Sequence, residues 1–373
     1  MKPLILSRIE KLRQRMAAHK IDTFLVLIAE NRRYLSGYTG EDTQFDESAG
    51  ALLISPDHLI LATDSRFVEQ AKIESPGYEV ICYQKGLIKE LPQLLKSLGA
   101  RNLGIEGARL SYSQFIKLND ELKTSGISVD IIDTAQMVEC QRIIKTDDEI
   151  EAIMHAVAVA ESDFEQLLRD LQPGQTESQV AWILEQKMRT AGAEGLSFPV
   201  ISAFGKNSAL PHAIPGGTIL KKGEPLLFDW GARLNGYCSD MTRTVCMGKP
   251  DSQFEKIFTI VHDAQQKAID AIRPGATSKS IDAKARDHIK AKGYGEFFGH
   301  SLGHGVGLAI HEAPSISPLP EKDIILQENM VFTVEPGIYL PDWGGVRLEN
   351  MVVVKSDGVQ VLNQLEIKLD LLE

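Results

Sequence analysis

The sequence contains few cysteines, and none of them are paired in a CxxC motif. Cys82, Cys140, Cys238 and Cys246 are spread over 373 residues. They are too sparse for a disulfide framework, so we expect a reducing compartment. Cys238 and Cys246 could serve as zinc ligands, but their neighbours alternate like strand residues, which favours two small buried side chains.

Long apolar runs are also missing. No run approaches the ~20 residues that span a bilayer. Residues 1–7 lack the apolar core of a signal peptide and are followed at once by charged residues. With 40 basic against 51 acidic residues the net charge is −11, which disfavours nucleic acid and anionic membranes as partners. We therefore expect a cytoplasmic protein with no membrane partner and no nucleic-acid partner.

What remains is typical of a globular protein, with 43% hydrophobic and 24% charged residues. The length predicts two domains. Residues 1–132 alternate predicted helices with predicted strands, which indicates a small α/β domain with a mixed sheet. The predicted helices span 7–19, 65–73, 87–98 and 111–122, and the predicted strands 23–28, 51–54, 58–61, 78–83, 102–105 and 127–132. Residues 133–146 are interpreted as a linker and 147–373 as the second domain.

The second domain contains an internal repeat. Residues 168–176 resemble 269–277, and each copy closes one helix and opens another. Residues 209–215 echo 309–314, and 223–229 echo 328–335. Two similar halves predict a pseudo-twofold domain with its functional site where the halves meet.

Two aspartates belong to a predicted β-hairpin of the first half. Asp229 and Asp240 flank Asn235-Gly236, a strong turn signal. If these two residues form the centre of the turn, Asp229 faces Thr242. If the centre is one residue earlier, Asp229 faces Asp240. In both registers the two carboxylates share one face of an apolar hairpin, which is unfavourable without a cation.

Three further residues complete a candidate metal site. Glu335 and Glu349 lie on a second predicted strand pair, residues 330–335 and 345–354, whose longer loop leaves the register open. The repeat aligns them with the two aspartates. His304 lies in a stretch with four glycines among residues 299–307, where the backbone can approach a ligand closely. Four carboxylates and one imidazole exceed the needs of a single catalytic zinc and suit two divalent ions. A hydrolase that activates water is the leading interpretation.

Four other residues are candidates for the substrate site. His212, His300 and His311 lie near the proposed ligands in the sequence, and neutral imidazoles can stabilise an oxyanion. Arg347 shares a strand face with Glu349. It could pair with a ligand carboxylate, bind a substrate carboxyl group or form a structural salt bridge.

The sequence resembles the pita-bread metallopeptidases, a family that includes methionine aminopeptidase, aminopeptidase P and prolidase. Residues 207–212 (NSALPH), 304–312 (HGVGLAIHE) and 344–349 (GGVRLE) match the proline-specific branch. Residues 31–37 (NRRYLSG) and 63–67 (TDSRF) resemble its N-terminal domain. The resemblance implies an α/β (α+β) fold, with a creatinase/prolidase-type N-terminal domain and a C-terminal pseudo-twofold pita-bread domain.

The resemblance also implies roles for the site residues. Asp229 and Glu349 would bridge two metal ions. Asp240 would complete the coordination of one ion, and His304 and Glu335 would complete that of the other. Glu335 would shuttle a proton, and His212, His300 and His311 would line the substrate site near Tyr339. Two departures, Ala309 and Asn350, affect no proposed ligand.

The implied activity is hydrolysis of Xaa-Pro bonds in short proline-containing peptides by a homodimer. Mn²⁺ suits the oxygen-rich ligands best, and Co²⁺ or Zn²⁺ would also bind. Two alternatives use the same fold: a creatinase-like hydrolase that needs no metal, and a non-catalytic peptide-binding module. The intact ligand set argues against both. Dipeptidase and aminopeptidase specificity stay equally open.

Overall fold

The computed structural model describes residues 2–42, 44 and 47–371. The chain divides into two compact units, residues 1–141 and 142–373. Within the described residues, none of the helices combines the length and apolar character needed to cross a membrane.

The N-terminal unit is an α/β domain, as predicted. Its helices are α1 (Pro3–Ala18), α2 (Ala29–Ser36), α3 (Val68–Glu74), α4 (Leu87–Ser97), α5 (Tyr112–Thr124) and, at the junction of the units, α6 (Glu139–Arg142). Its strands are β1 (Thr23–Val26), β2 (Ala51–Ile54), β3 (Leu59–Thr63), β4 (Glu79–Cys82), β5 (Asn102–Ile105) and β6 (Asp130–Asp133). They form one mixed sheet in the order β4-β3-β2-β1-β5-β6, in which β2 runs antiparallel to both of its neighbours.

The predicted elements differ from the observed ones mainly at their ends. Helix α1 begins at Pro3, four residues earlier than predicted, because proline is well suited to the first turn of a helix. Apolar periodicity does not predict α2 at all. This helix buries Asn31 and Arg32, so polar side chains stand where an apolar stripe is expected.

The C-terminal unit is built from two similar halves. Its helices are α7 (Asp147–Asp170), α8 (Glu177–Thr190), α9 (Ser252–Ile269) and α10 (Ser278–Ala291). The strands of the first half are β7 (Gly195–Leu196), β8 (Ile201–Phe204), β9 (Pro225–Trp230), β10 (Ala232–Leu234), β11 (Tyr237–Cys238) and β12 (Met241–Met247). Those that follow are β13 (Gly303–Gly305), β14 (Glu312–Ile316), β15 (Val331–Val334), β16 (Gly337–Leu340), β17 (Gly344–Arg347), β18 (Asn350–Lys355), β19 (Gly358–Val361) and β20 (Asp370–Leu371).

The internal repeat is visible in the hydrogen bonds. Thr176 and Thr277 cap α8 and α10, and each forms an isolated β-bridge, to Ile219 and Ile325 respectively. The flanking bonds repeat too, since Gly174 donates to the Leu220 carbonyl and Gly275 to that of Leu326. In each repeat, these bonds therefore connect the turn between the two helices to the segment that leads into the central strands.

Each half has its own hydrophobic core. One packs α7 and α8 against β9 and β12 around Phe164, Phe228 and Trp230. The other packs α9 and α10 against β15 and β18 around Phe254 and Phe332. All four cysteines are free, and Cys238 and Cys246 are buried as predicted.

Candidate metal centre

The first pair of carboxylates is placed by a tight hairpin. Asn235 and Gly236 have φ angles of 50° and 79°, the left-handed values that a two-residue hairpin turn requires. The turn sets Thr242 opposite Asp229, which is the first of the two predicted registers. Asp240 follows diagonally on the same face, so both carboxylates point into one cleft.

The second pair lies in an interruption of a long hairpin. Val334 pairs with Asn350 in one ladder, and Gly337 pairs with Arg347 in the next. The two ladders share one register, so Glu335 and Glu349 lie opposite each other between them. Their backbone N–H groups donate outward, to the Leu302 and Thr242 carbonyls, rather than across the hairpin.

His304 is carried by the short strand β13, which lies against β15. A Cβ atom on Gly303 would stand 1.9 Å from the Thr333 carbonyl oxygen, so only glycine permits this approach. The backbone N–H of His304 donates to the Thr333 hydroxyl, which in turn donates to Glu335 Oε1. This approach of the two strands brings the imidazole to the carboxylates.

The predicted ligands converge. Asp240, His304 and Glu349 each offer one ligand atom within 4.8 Å of the others. The Nε2 atom of His304 lies 3.4 Å from Asp240 Oδ2 and 3.5 Å from Glu335 Oε1. Asp229 lines the same cleft, and all four carboxyl groups are largely buried.

Arg347 is the cation of this cluster. Its Nη2 atom donates to Asp229 Oδ2 at 2.5 Å, and Nη1 donates to the Tyr339 hydroxyl and the Pro211 carbonyl. Its Nε atom donates to the Thr242 hydroxyl, which donates to Glu349 Oε2 at 2.6 Å. Of the roles left open by the sequence, the geometry favours pairing with a proposed ligand carboxylate.

Burial and mutual repulsion raise the pKa values of the carboxyl groups. Desolvation raises the pKa of Asp240 and Glu349 well above their ordinary values, and neighbouring carboxylates add to the effect. Desolvation raises the pKa of Glu335 to about 8, although Arg347 opposes the shift. Burial lowers the pKa of His304 to about 4, so its imidazole is neutral and can act as a ligand.

These residues fit divalent cations. Asp229 Oδ1 and Glu349 Oε1 are buried without a hydrogen-bond partner in the described structure, although buried carboxylate oxygens are normally bonded. One guanidinium cannot neutralise four buried carboxylates. Bound cations would satisfy the free oxygens and offset the repulsion among the carboxylates.

The three candidate histidines line the same cleft as the ligands. His300 is partly buried, and its Nε2 atom lies 3.0 Å from the Tyr339 hydroxyl. Burial lowers the pKa of His300 to about 4, and Arg347 adds to the shift. The His311 ring packs edge-on against His304 at 4.2 Å between ring centres, and burial lowers its pKa. His212 is exposed at the cleft wall.

The cleft has a volume of about 550 Å³ and an apolar wall that the sequence did not reveal. The wall is formed by two segments, one leading into β8 and one near residue 213, and its members are Phe198, Pro199, Val200, Ile201, Pro211, Ala213, Ile214 and Pro215. Sequence reasoning also missed Thr242 and Thr333, which bond the proposed ligands. Their hydroxyls carry no sequence signal, because they act through contacts between distant strands.

Comparison with known proteins agrees with this geometry. Residues 151–356 match the sequence profile of metallopeptidase family M24, and residues 8–144 match the creatinase/prolidase N-terminal domain. The chain is 37% identical to an Xaa-Pro dipeptidase of Pyrococcus furiosus, over 97% of this chain and 99% of that protein.

Solved structures with the same fold include two bacterial proline peptidases. An Xaa-Pro dipeptidase from Bacillus anthracis is 39% identical with a TM-score of 0.91, covering 98% of this chain and 100% of that one. An X-Pro aminopeptidase from Thermotoga maritima is 36% identical with a TM-score of 0.88, covering 97% and 99%. The predicted pita-bread fold is thereby confirmed. The chain belongs to metallopeptidase family M24, whose members use divalent metal ions, and it carries the creatinase/prolidase N-terminal domain.

Proposed function

We propose that this metallopeptidase hydrolyses the peptide bond that precedes proline in short peptides. The observation that carries the proposal is the cleft lined by Asp229, Asp240, His304, Glu335 and Glu349, in which two buried carboxylate oxygens have no hydrogen-bond partner among the described residues. The relatives named as Xaa-Pro dipeptidases and the X-Pro aminopeptidase support the substrate class.

Those five residues would hold two divalent ions. When bound, the ions supply Lewis-acid polarisation and lower the pKa of water, so that a nucleophile forms at neutral pH. Mn²⁺ is our proposal for the metal, because four of the five ligands are carboxylates.

The side chains of the cleft move the protons. Glu335 Oε1 accepts a proton from the attacking water and returns it to the proline nitrogen, which carries no hydrogen of its own before cleavage. Thr333 orients that carboxyl oxygen through its hydroxyl. His311 or His212 donates an imidazole N–H to the oxyanion that forms at the carbonyl before proline.

Arg347 and Tyr339 hold the cluster in position. The guanidinium fixes Asp229 and, through Thr242, Glu349. The proline ring needs an apolar surface, and the wall of Phe198, Ile201 and Ile214 offers one beside the carboxylates.

Hydrolysis assays on demetallated protein test this proposal. Mn²⁺, Co²⁺ or Zn²⁺ is added, and cleavage of Ala-Pro and Ala-Pro-Ala is compared with cleavage of Ala-Ala and Ala-Ala-Ala. We expect metal-dependent cleavage of the proline peptides only. Equal cleavage of both sets would contradict the proline specificity, and the ratio of the two proline substrates separates dipeptidase from aminopeptidase activity.

We further propose a homodimer in the cytoplasm. The resemblance to the proline-specific branch supports the dimer, and the four free cysteines suit a reducing compartment. Light scattering of the purified protein should give twice the chain mass of 41.2 kDa. A monomer at assay concentration would refute the dimer.

A further inference from the structure

A buried ion triad lies behind the loop that carries His311. Glu312 pairs with Arg142 and, at 2.8 Å, with Lys145. The three side chains are 7%, 5% and 2% exposed. The two cations hold the pKa of Glu312 below its ordinary value despite the cost of burial.

The triad determines the shape of one loop. Residues 306–311 join β13 to β14, and the strand register shifts between His304 and Gly305. Glu312 Oε2 accepts a hydrogen bond from the Ala309 backbone at 3.4 Å. A Cβ atom on Gly307 would lie 2.3 Å from Glu312 Oε1, so the carboxylate fills the interior of the loop.

The segment that carries Lys145 is bonded to the chain at the start of β15. The Lys145 backbone donates to the Asn329 carbonyl, and Ile144 forms a β-bridge with Met330 at the start of β15. The carboxylate of Glu312 is thus anchored to the sheet that bears Glu335. His311 is joined covalently to Glu312, and its ring packs on His304.

We propose that the Arg142–Glu312–Lys145 triad is a positioning element that holds His311 against the scissile carbonyl. The inference rests on the proposed function, because it assumes that His311 stabilises the transition state. It assigns a role to Arg142 and Lys145. Arg142 lies at the C-terminal edge of the match to the creatinase/prolidase N-terminal domain, and Lys145 lies between that match and the match to family M24.

The test uses the full chain with Lys145→Met, which removes one cation and leaves the Arg142–Glu312 pair. Glu312→Gln is a second, harsher variant. The matched control is Lys187→Met, which breaks the 2.9 Å pair with Asp170 away from the cleft. Turnover is measured in each variant and again in a His311→Ala background. The His311 resonance is followed by NMR in metal-free protein labelled with ¹³C-histidine.

We expect Lys145→Met to lower kcat roughly 10-fold or more with KM and metal content unchanged, because a small misplacement of a catalytic group is costly. The His311→Ala background should abolish that effect, and the His311 resonance should shift or broaden in Lys145→Met and not in the control. The same loss in both backgrounds, or an unchanged resonance, would overturn the proposal. A wild-type protein that cleaves no Xaa-Pro peptide would refute the proposed function alone, since the resonance still tests the positioning.

Discussion

At the scale of single residues, the candidate site buries carboxylates in an arrangement that is energetically unfavourable without a bound ligand. Asp229 Oδ1 and Glu349 Oε1 are buried and unbonded among the described residues. An unpaired buried polar atom costs about 1–3 kcal/mol, and more when charged. Residues that are stabilised only by a ligand are expected at a functional site. We therefore interpret these buried carboxylates as a binding site for cations.

The substitution Asp229→Asn tests this interpretation. It keeps the shape of the side chain and removes one negative charge from the proposed bridging position. We expect the loss of at least one metal equivalent and about 10³-fold or more in rate, the scale of several kcal/mol in the barrier. Metal counting by atomic emission measures the first effect. The exposed Asp357→Asn is the control, and two tightly held ions in the Asp229 variant would refute the assignment.

At the scale of secondary-structure elements, the interruption of one hairpin creates the site. The carbonyls of Val334 and Leu348 lie at the break between the β15–β18 and β16–β17 ladders, next to Glu335 and Glu349. The buried Gln265 of α9 donates its Nε2 atom to both carbonyls, at 2.9 and 3.0 Å. One amide thus stabilises the opening through which both glutamates reach the cleft.

The substitution Gln265→Met should therefore weaken metal binding. It removes the amide at nearly constant volume and deprives the two carbonyls of this side-chain donor. We expect metal affinity to fall about 10–100-fold, as for other groups that support metal ligands. Titration calorimetry measures the change, and Gln266→Met on the same helix is the control. Equal affinities in the two variants would contradict the role of Gln265.

The ion triad predicts a pH dependence of stability. Because the pKa of Glu312 is lowered in the folded protein, the carboxylate stabilises the fold at pH values above its ordinary pKa. That stability is lost as the pH falls through the lowered value. Glu312→Gln should cost about 3–5 kcal/mol near neutral pH, because it removes the carboxylate that pairs with two buried cations. Urea unfolding should show a smaller difference from wild type in acid, and a constant difference would contradict the account.

The two hairpins show how much of the candidate site can be predicted from the sequence. The Asn235-Gly236 turn narrowed the register of Asp229 to two choices, and the φ angles of the turn select one of them. No such turn joins Glu335 to Glu349, so the sequence leaves their register open, and the two strand ladders define it. Gln265 and Lys145 contact residues that are far away in the sequence, and no local sequence pattern predicts either set of contacts.

At the scale of the whole molecule, the internal repeat was the most informative feature of the sequence. It predicted two halves, and the matched bridges of Thr176 and Thr277 confirm them. Helix α2 was missed because several of its buried residues, including Asn31 and Arg32, are polar. The composition of the cleft wall was not predictable either, since it joins residues near 198–201 to residues near 211–215.

Metal removal and restoration, followed by assay on proline peptides, tests the central claim most directly. Thoroughly demetallated protein is titrated with Mn²⁺ while Ala-Pro and Ala-Pro-Ala cleavage and the number of bound ions are recorded together. The account predicts no activity at zero metal, restoration as two ions bind, and a midpoint of thermal unfolding that rises with bound metal. Full activity without metal, as a creatinase-like mechanism would give, would contradict it.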